Sequence, residues 1–500
     1  MINRSNKFNF YSLYFFLSGI LTSFSLPPYN YWFINFFSFS FLFIILFKNL
    51  EKNFKTFFFY GYSFGFGYFL SSLYWIPFSL SHDDNFKTFI PIAIIIIPAF
   101  LSLFYAFAFL IFKIFCNSKK NIIANLLIFS LALSILEFLR GNILSGFPWN
   151  LFAYSLSENI NIIQINSVIG VYAFNMILIT IFSAPSILYL DRKKKNLFGF
   201  SIILITFVFF YIFGFLKVKS FNNLDVKNLS TKIKILSTSI PIDRYYSSAN
   251  DEEILLKLIE LSNPNLNENT IFIWPEGVIP NINLVDLKNN YNIIFERSFA
   301  DIHSIVLGIN DEEVSNGIKK YYNSLTIIDN EANVLYKYHK NKLVPFGEFL
   351  PLENLLSKLG LKNLTNNYQS YSASKKRNLF TFENNVDIKI LPLICYEIIY
   401  SGKLSKDNDY KFIINISEDG WFGNSIGPSQ HFAHTIFRSI EYGKYTLRSA
   451  NNGISAIISP IGFTVDKINI NNEGSIFINQ IKEVDNTPFS KHGNKIYFFI

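Results

Sequence analysis

The 500-residue sequence predicts a multi-pass α-helical membrane domain followed by a layered α/β domain. Three observations carry this. Half of the chain is apolar and only 16% is charged, against roughly 25% in soluble proteins. Nearly all the long uninterrupted apolar runs precede residue 216. After about residue 230, short β-rich runs alternate with helical stretches. A biased genome would also enrich Phe, Asn, Ile and Lys, so the distribution of apolar residues decides more than their total.

A membrane span needs about 20 mostly apolar residues. Seven stretches qualify, near 10–26, 31–48, 56–76, 89–113, 121–139, 162–190 and 197–215. The first follows a basic start (Arg4, Lys7), as a signal peptide would, but no small-residue cleavage site comes after it, and it reads as a retained helix. Basic residues gather at the N-terminus, in Lys48 to Lys55, in Lys113 to Lys120 and in Arg192 to Lys195. These are alternate loops. The intervening ones, around His82 and around Gly146-Phe-Pro-Trp149, carry few cations. Cation-rich loops stay cytoplasmic, so the N-terminus is expected inside and everything after Lys217 outside. The expected domains are 1–217 in the membrane and 225–487 outside. The net charge of +8 then serves orientation, and nucleic acid is not expected as a partner.

In the outer domain, strand-like runs lie at Lys232–Leu236, Thr270–Trp274, Ser304–Gly308, Leu325–Asp329, Val334–Tyr338, Ile388–Ile394, Phe412–Ile416, Ser455–Ser459 and Ser475–Asn479. Helical spacing marks Glu252–Leu261 and about Gln430–Arg448. Strands alternating with helices predict a largely parallel sheet covered on both faces, with functional residues at strand ends.

Cys395 is one of two cysteines, at the end of the buried run Ile388–Ile394. Taken alone, such a cysteine is usually a small buried hydrophobe. Glu276 and Lys340, however, also end apolar runs, in Trp274-Pro-Glu276 and ahead of Pro345-Phe-Gly-Glu348. A thiol accompanied by a carboxylate and an ammonium suits a nucleophile with its base and an anion-stabilising cation. Cys116 falls at a cytoplasmic membrane edge, so the two cysteines cannot pair. His431 and His434 share a helix with no cysteine or carboxylate set completing a metal site, so they read as core or helix-surface residues. No phosphate loop or dinucleotide fingerprint is present, and no metal or cofactor is expected.

These segments resemble the nitrilase superfamily, an αββα sandwich with a Glu-Lys-Cys triad. Trp274-Pro-Glu276, Pro345-Phe-Gly-Glu348, Cys395-Tyr-Glu397, Asn415 to Trp421, Pro428-Ser-Gln-His431, Arg438-Ser-Ile-Glu441 and Arg448 to Gly453 carry the resemblance. Together with Glu137-Phe-Leu-Arg140 and Gly146-Phe-Pro-Trp149 in the membrane half, they are similar to the apolipoprotein N-acyltransferase family. The sequence departs from the family's polar pattern after the first outer strand, where it reads Ser237-Thr-Ser-Ile-Pro-Ile-Asp243. The resemblance also implies an eighth helix of which 488–500 would be the start, either cut short within that helix or ending early in this member.

The resemblance implies transfer of a fatty acyl chain from a membrane phospholipid to the α-amino group of a diacylglyceryl-apolipoprotein. A thioester on Cys395 would carry the acyl group, and the enzyme would sit in a bacterial inner membrane facing the periplasm. Glu276 would be the base; Lys340 and the Tyr396 N–H would bind the oxyanion. Glu348 would hold the lysine, and Tyr396 and Glu397 would act indirectly. Trp149 and Trp421 are candidates for the acyl path, although Trp149 equally suits interfacial anchoring. Glu137 and Arg140 either meet a lipid headgroup or pair with each other, and Lys342 reads as a surface charge. A membrane-anchored amidase shares the triad but leaves the seven spans unexplained. A transporter would leave the triad idle, and its spans lack an obvious charge pathway.

Overall fold

The computed structural model describes residues 4–82, 84, 86–117, 121–246, 250–315, 317–351, 370–382 and 388–500. A helix covers each of the seven apolar stretches: α1 (Arg4–Ser23), α2 (Ile34–Lys48), α3 (Phe54–Leu73), α4 (Ile90–Phe115), α5 (Ile122–Arg140), a sixth built from a short α6 (Ile160–Ile163), α7 (Asn166–Ser183) and α8 (Pro185–Leu190), and α9 (Lys194–Asn222). Four of these stretches, Lys87–Phe115, Ile122–Arg140, Asn166–Leu190 and Lys194–Asn222, are long and apolar enough to cross a membrane. Helix α9 leaves Phe198, Ile205, Phe209 and Leu216 exposed, the pattern of a lipid-facing helix. The helices pack through aromatic rings, as in the stack of Phe15 on Tyr60 at 4.6 Å.

The outer half holds two six-stranded sheets. One runs β12-β1-β2-β3-β4-β5, from β1 (Lys227–Ser237), β2 (Thr270–Ile273), β3 (Ser304–Ser315), β4 (Ile318–Ile328), β5 (Val334–His339) and β12 (Gly474–Ile481). The other runs β11-β10-β9-β8-β7-β6, from β6 (Phe380–Thr381), β7 (Lys389–Ile394), β8 (Phe412–Glu418), β9 (Tyr445–Asn451), β10 (Ser455–Ile458) and β11 (Thr464–Ile468). Strand alternation sorts the side chains. Ile233, Ile235, Ile271 and Ile273 join the core shared with the second sheet, whereas Phe272 and Trp274 face the helices α10 (Asp251–Ser262) and α11 (Leu284–Ser298) through Leu255, Leu258, Leu287 and Phe295. The helix α12 (Gly427–Tyr442) packs on the second sheet and on α7, so the outer half and the membrane half share one core.

Two predictions from the sequence need correction. The sheets are mixed: parallel pairing is confined to β1-β2-β3 and β7-β8-β9, with antiparallel neighbours on either side. The connections from β3 to β4 and from β4 to β5 are too short for the crossover that a parallel pair requires. The helix expected to reach Arg448 ends at Tyr442, and Tyr445–Asn451 is a fully buried strand. Gly443, at φ 64°, takes the left-handed position that stops the helix. At the C-terminal end, Pro488–His492 forms a short helix and Gly493–Phe499 a 3-10 turn; Tyr497 stacks on Phe138 of α5 at 4.8 Å.

Candidate active site

Strand ends from both sheets deliver the site, two of them in the parallel cores and one at the antiparallel edge strand β5. Glu276 follows β2, Lys340 follows β5, and Cys395 follows β7. Gly308 on β3 permits the first placement, because a Cβ there would lie 2.6 Å from the Glu276 Cα. Cys395 has φ 47°, a conformation costly for a residue with a Cβ, at the point where β7 turns into a 3-10 helix. This turn puts the Tyr396 N–H in a first helical turn, where N–H groups have no partner within the helix.

Lys340 Nζ donates to Glu276 Oε1 at 3.2 Å and to Glu348 Oε1 at 2.9 Å. Glu276 Oε2 accepts the Glu418 N–H at 2.9 Å, which fixes the carboxylate in place. All three triad side chains are buried. Desolvation alone would lower the Lys340 pKa, but Glu276 and Glu348 hold it well above its ordinary value, so Lys340 stays an ammonium. Burial pushes the Cys395 thiol up; Glu276 adds to this and Lys340 opposes it. Cys395 is therefore a neutral thiol at rest, and a thiol of this kind attacks only when a base takes its proton.

The supporting residues fall into separate places. Glu348 anchors Lys340 and accepts the Val344 N–H at 2.8 Å. Glu397 is buried beneath the nucleophile turn, receiving Arg377 Nη2 at 2.6 Å, Tyr338 Oη at 2.7 Å and the Ile394 N–H at 2.9 Å. Tyr396 donates its hydroxyl to the Gly146 carbonyl at 3.2 Å, joining the nucleophile to the membrane half. Trp149 is also buried there and donates to Gln430 Oε1 at 2.8 Å, which excludes an interfacial anchor. Trp421 stands apart, packed on Tyr245 at 5.2 Å and His82 at 5.9 Å. Glu137 and Arg140 pair with each other in the protein interior, and Tyr105 donates to Glu137.

Three partners escaped the sequence reading. Asn323, within β4, donates to Glu276 Oε1 at 2.7 Å and to Glu348 Oε1 at 2.8 Å, bridging the two carboxylates. Arg244 pairs with the buried Glu418, so the unusual segment after β1 still leads to a polar contact with the site. His431 does meet a thiol and a carboxylate: Cys395, Asp419 and His431 each offer a ligand-type atom within 4.8 Å of the others. Arg448 already bonds both Asp419 oxygens, at 2.9 and 2.7 Å, and holds that carboxylate well below its usual range against desolvation. The same guanidinium lies 3.1 Å from His431 Nδ1, so this carboxylate is already paired with a cation.

This arrangement joins a thiol, a carboxylate in contact with an ammonium, and a backbone N–H at a helix start, which is the equipment for acyl transfer through a covalent intermediate. A family model for the apolipoprotein N-acyltransferase N-terminal domain matches residues 18–185, and one for carbon-nitrogen hydrolase matches residues 302–487. The apolipoprotein N-acyltransferase of Rhodopseudomonas palustris is 30% identical over 478 residues, covering 92% of this chain and 87% of the relative. That of Rickettsia prowazekii is 33% identical over 472 residues, covering 92% and 90%. The chain belongs to the apolipoprotein N-acyltransferase family. Membership makes it a membrane acyltransferase of the carbon-nitrogen hydrolase superfamily and accounts for both halves together. The N-terminal match stops at residue 185, before α9, and the hydrolase match begins at residue 302, after Glu276. Bonds from Lys340, Asn323 and the Glu418 N–H tie Glu276 to the site.

Proposed function

We propose that Cys395 takes a fatty acyl group from a membrane phospholipid and passes it to the α-amino group of the N-terminal S-diacylglyceryl-cysteine of an apolipoprotein. The contact of Lys340 with Glu276, beside a thiol on a strained strand-end turn, carries this assignment of roles. Glu276 accepts the thiol proton as sulfur attacks the ester carbonyl. The Lys340 ammonium and the Tyr396 N–H stabilise the oxyanion. Collapse breaks the ester C–O bond, and Glu276 returns the proton to the departing lysophospholipid. The acceptor amine then attacks the thioester, Glu276 takes its proton, and the Cys395 thiolate leaves and is reprotonated. Two substrates sharing one nucleophile in turn give ping-pong kinetics.

The alternating basic loops support an N-terminus in the cytoplasm, a membrane region over 1–217 and a catalytic region over 225–487 in the periplasm of a bacterial inner membrane. A site joined to the membrane half through Tyr396 and Trp149 suits lipid substrates.

The test is intact mass of detergent-solubilised protein after incubation with phospholipid alone. The expected result is one acyl adduct, absent in Cys395→Ala and discharged by a diacylglyceryl-lipopeptide. Release of free fatty acid or ammonia without an adduct would instead indicate a hydrolase.

A further inference from the structure

The geometry points to a binding site for the phosphodiester of the donor phospholipid, formed by Lys342 and Lys403 over the Tyr400 ring; this rests on the acyltransferase reading above. The two ammonium groups lie 6.0 and 5.9 Å from the centre of that ring. Among the described residues, no carboxylate pairs with either. Neither was set apart by the sequence, where Lys342 reads as an ordinary surface charge.

The protein holds this like-charged pair together by its backbone. The Lys342 N–H donates to Glu397 at 3.1 Å. Arg377, which pairs with the same Glu397 oxygen, donates to the Lys403 and Leu404 carbonyls at 3.4 and 2.6 Å. One buried ion pair thus fixes the backbone of Lys342 and of Lys403, whose exposed side chains extend from it, and, through the Ile394 N–H, the nucleophile turn. Lys403 is held below its ordinary pKa by burial and by the charge of Lys342. Two cations held side by side without a counter-charge are relieved by an anion.

The surroundings identify the kind of anion. Tyr400 donates its hydroxyl to the Ser145 and Gly146 carbonyls at 3.0 and 3.2 Å, in the loop that follows α5. Beside those residues, Ile143 is 43% and Leu144 84% exposed, apolar side chains placed at the outer end of a membrane helix. Cations next to exposed aliphatic groups at a membrane edge match a lipid phosphate above its acyl chains. In a glycerophospholipid the phosphate and the acyl ester share one glycerol unit. Anchoring the phosphate at Tyr400, whose ring lies 5.5 Å from that of Tyr396, therefore presents the ester toward the residue next to Cys395. The acceptor lipopeptide carries no phosphate, so the site distinguishes the donor from the acceptor; the lysophospholipid keeps the phosphate and leaves by exchange before the second step.

The test compares two donors on the full-length protein in detergent micelles free of other lipid: phosphatidylethanolamine and p-nitrophenyl palmitate, an acyl ester without phosphate. For Lys342→Gln/Lys403→Gln, kcat/KM for Cys395 acylation by phosphatidylethanolamine is expected to fall about tenfold or more, mainly through KM. Acylation by the nitrophenyl ester should change less than twofold, and Lys342→Arg/Lys403→Arg should recover most of the phospholipid reaction. Equal loss with both donors, or no loss with either, overturns the site. A loss appearing only after transfer into phospholipid nanodiscs assigns the lysines to bilayer headgroups and overturns it as well. If the unaltered protein forms no adduct with either donor, the acyltransferase reading itself fails and the site falls with it.

Discussion

Glu397 lies two residues beyond Cys395, yet its Oε1 accepts the backbone N–H groups of Asn341 and Lys342, the residues that follow Lys340, at 2.9 and 3.1 Å. The same side chain accepts the Ile394 N–H through Oε2. One carboxylate therefore sets the spacing between the nucleophile and the cation that serves it, and Arg377 neutralises it in the interior. Glu397→Ala should leave Arg377 buried without a counter-charge and the Lys342 N–H without its acceptor, while the Asn341 N–H keeps only its 3.3 Å bond to Tyr338 Oη. The expected cost is about 3–5 kcal/mol in stability, read by thermal unfolding in detergent. The fraction that remains folded should acylate Cys395 at least about a hundredfold more slowly, because an oxyanion site displaced by an ångström loses its effect.

Glu276 and Lys340 touch, but their removal should be separable. Glu276→Gln preserves size, its one oxygen can accept from either the Glu418 N–H or Lys340, and Glu348 still pairs with Lys340. Folding should therefore change less than in a lysine variant while acylation falls by about 10²–10⁴, the range for losing a positioned base. Lys340→Met leaves Glu276 and Glu348 facing each other without the ammonium they share. Its loss of acylation should come with loss of stability. Single-turnover acylation and thermal unfolding on the same preparations decide this; equal stability in the two variants would contradict the division.

Asn323 donates to both Glu276 and Glu348. Asn323→Asp would place three carboxylates around one ammonium, and one of them should hold a proton at neutral pH through mutual repulsion. Acylation at neutral pH should fall by more than about tenfold. The isosteric Asn323→Asp should also steepen the pH dependence of the rate, whereas Asn323→Ala should lower the rate evenly across pH. Matching profiles for the two variants would show that Asn323 acts only by packing.

Glu276, Lys340 and Cys395 stand out in the sequence because each terminates an apolar run, and strand ends are where a layered fold places its chemistry. Their partners were not legible in the same way. Asn323 sits within a strand, among Tyr322 and Ser324, where nothing in the local pattern separates a site residue from a solvated one. Arg377 lies outside regular structure and reaches Glu397 only through the fold. Strand β9 was read as the end of a helix because Tyr445–Asn451 follows α12 almost without a break. Gly443 was the available signal, with the β-favouring Tyr445-Thr446 after it. Sequence could not decide between pairing and lipid contact for Glu137 and Arg140, since helical spacing permits both. Burial decides it.

His431 and His434 give the protein an acid sensitivity of its own. Both are fully buried in α12, His434 against the rings of Tyr154 at 4.2 Å and Trp149 at 5.2 Å, and His431 against Trp149 at 5.3 Å. Burial, with Arg448 beside His431 and Arg438 beside His434, lowers both pKa values, His434 strongly. Below about pH 6.5 the unfolded chain takes protons on these imidazoles that the folded protein refuses. The stability they contribute is thus present above that pH and is lost progressively as pH falls toward their folded values. Asp419 is also depressed, but its contribution is lost only as pH falls below the unfolded carboxylate value near about 3.9, so the histidine effect comes first. Thermal unfolding in detergent should therefore shift to lower temperature between pH 7 and pH 5, and His434→Leu should flatten that slope while Cys395→Ala should not. A slope unchanged in His434→Leu would place the acid sensitivity elsewhere in the molecule.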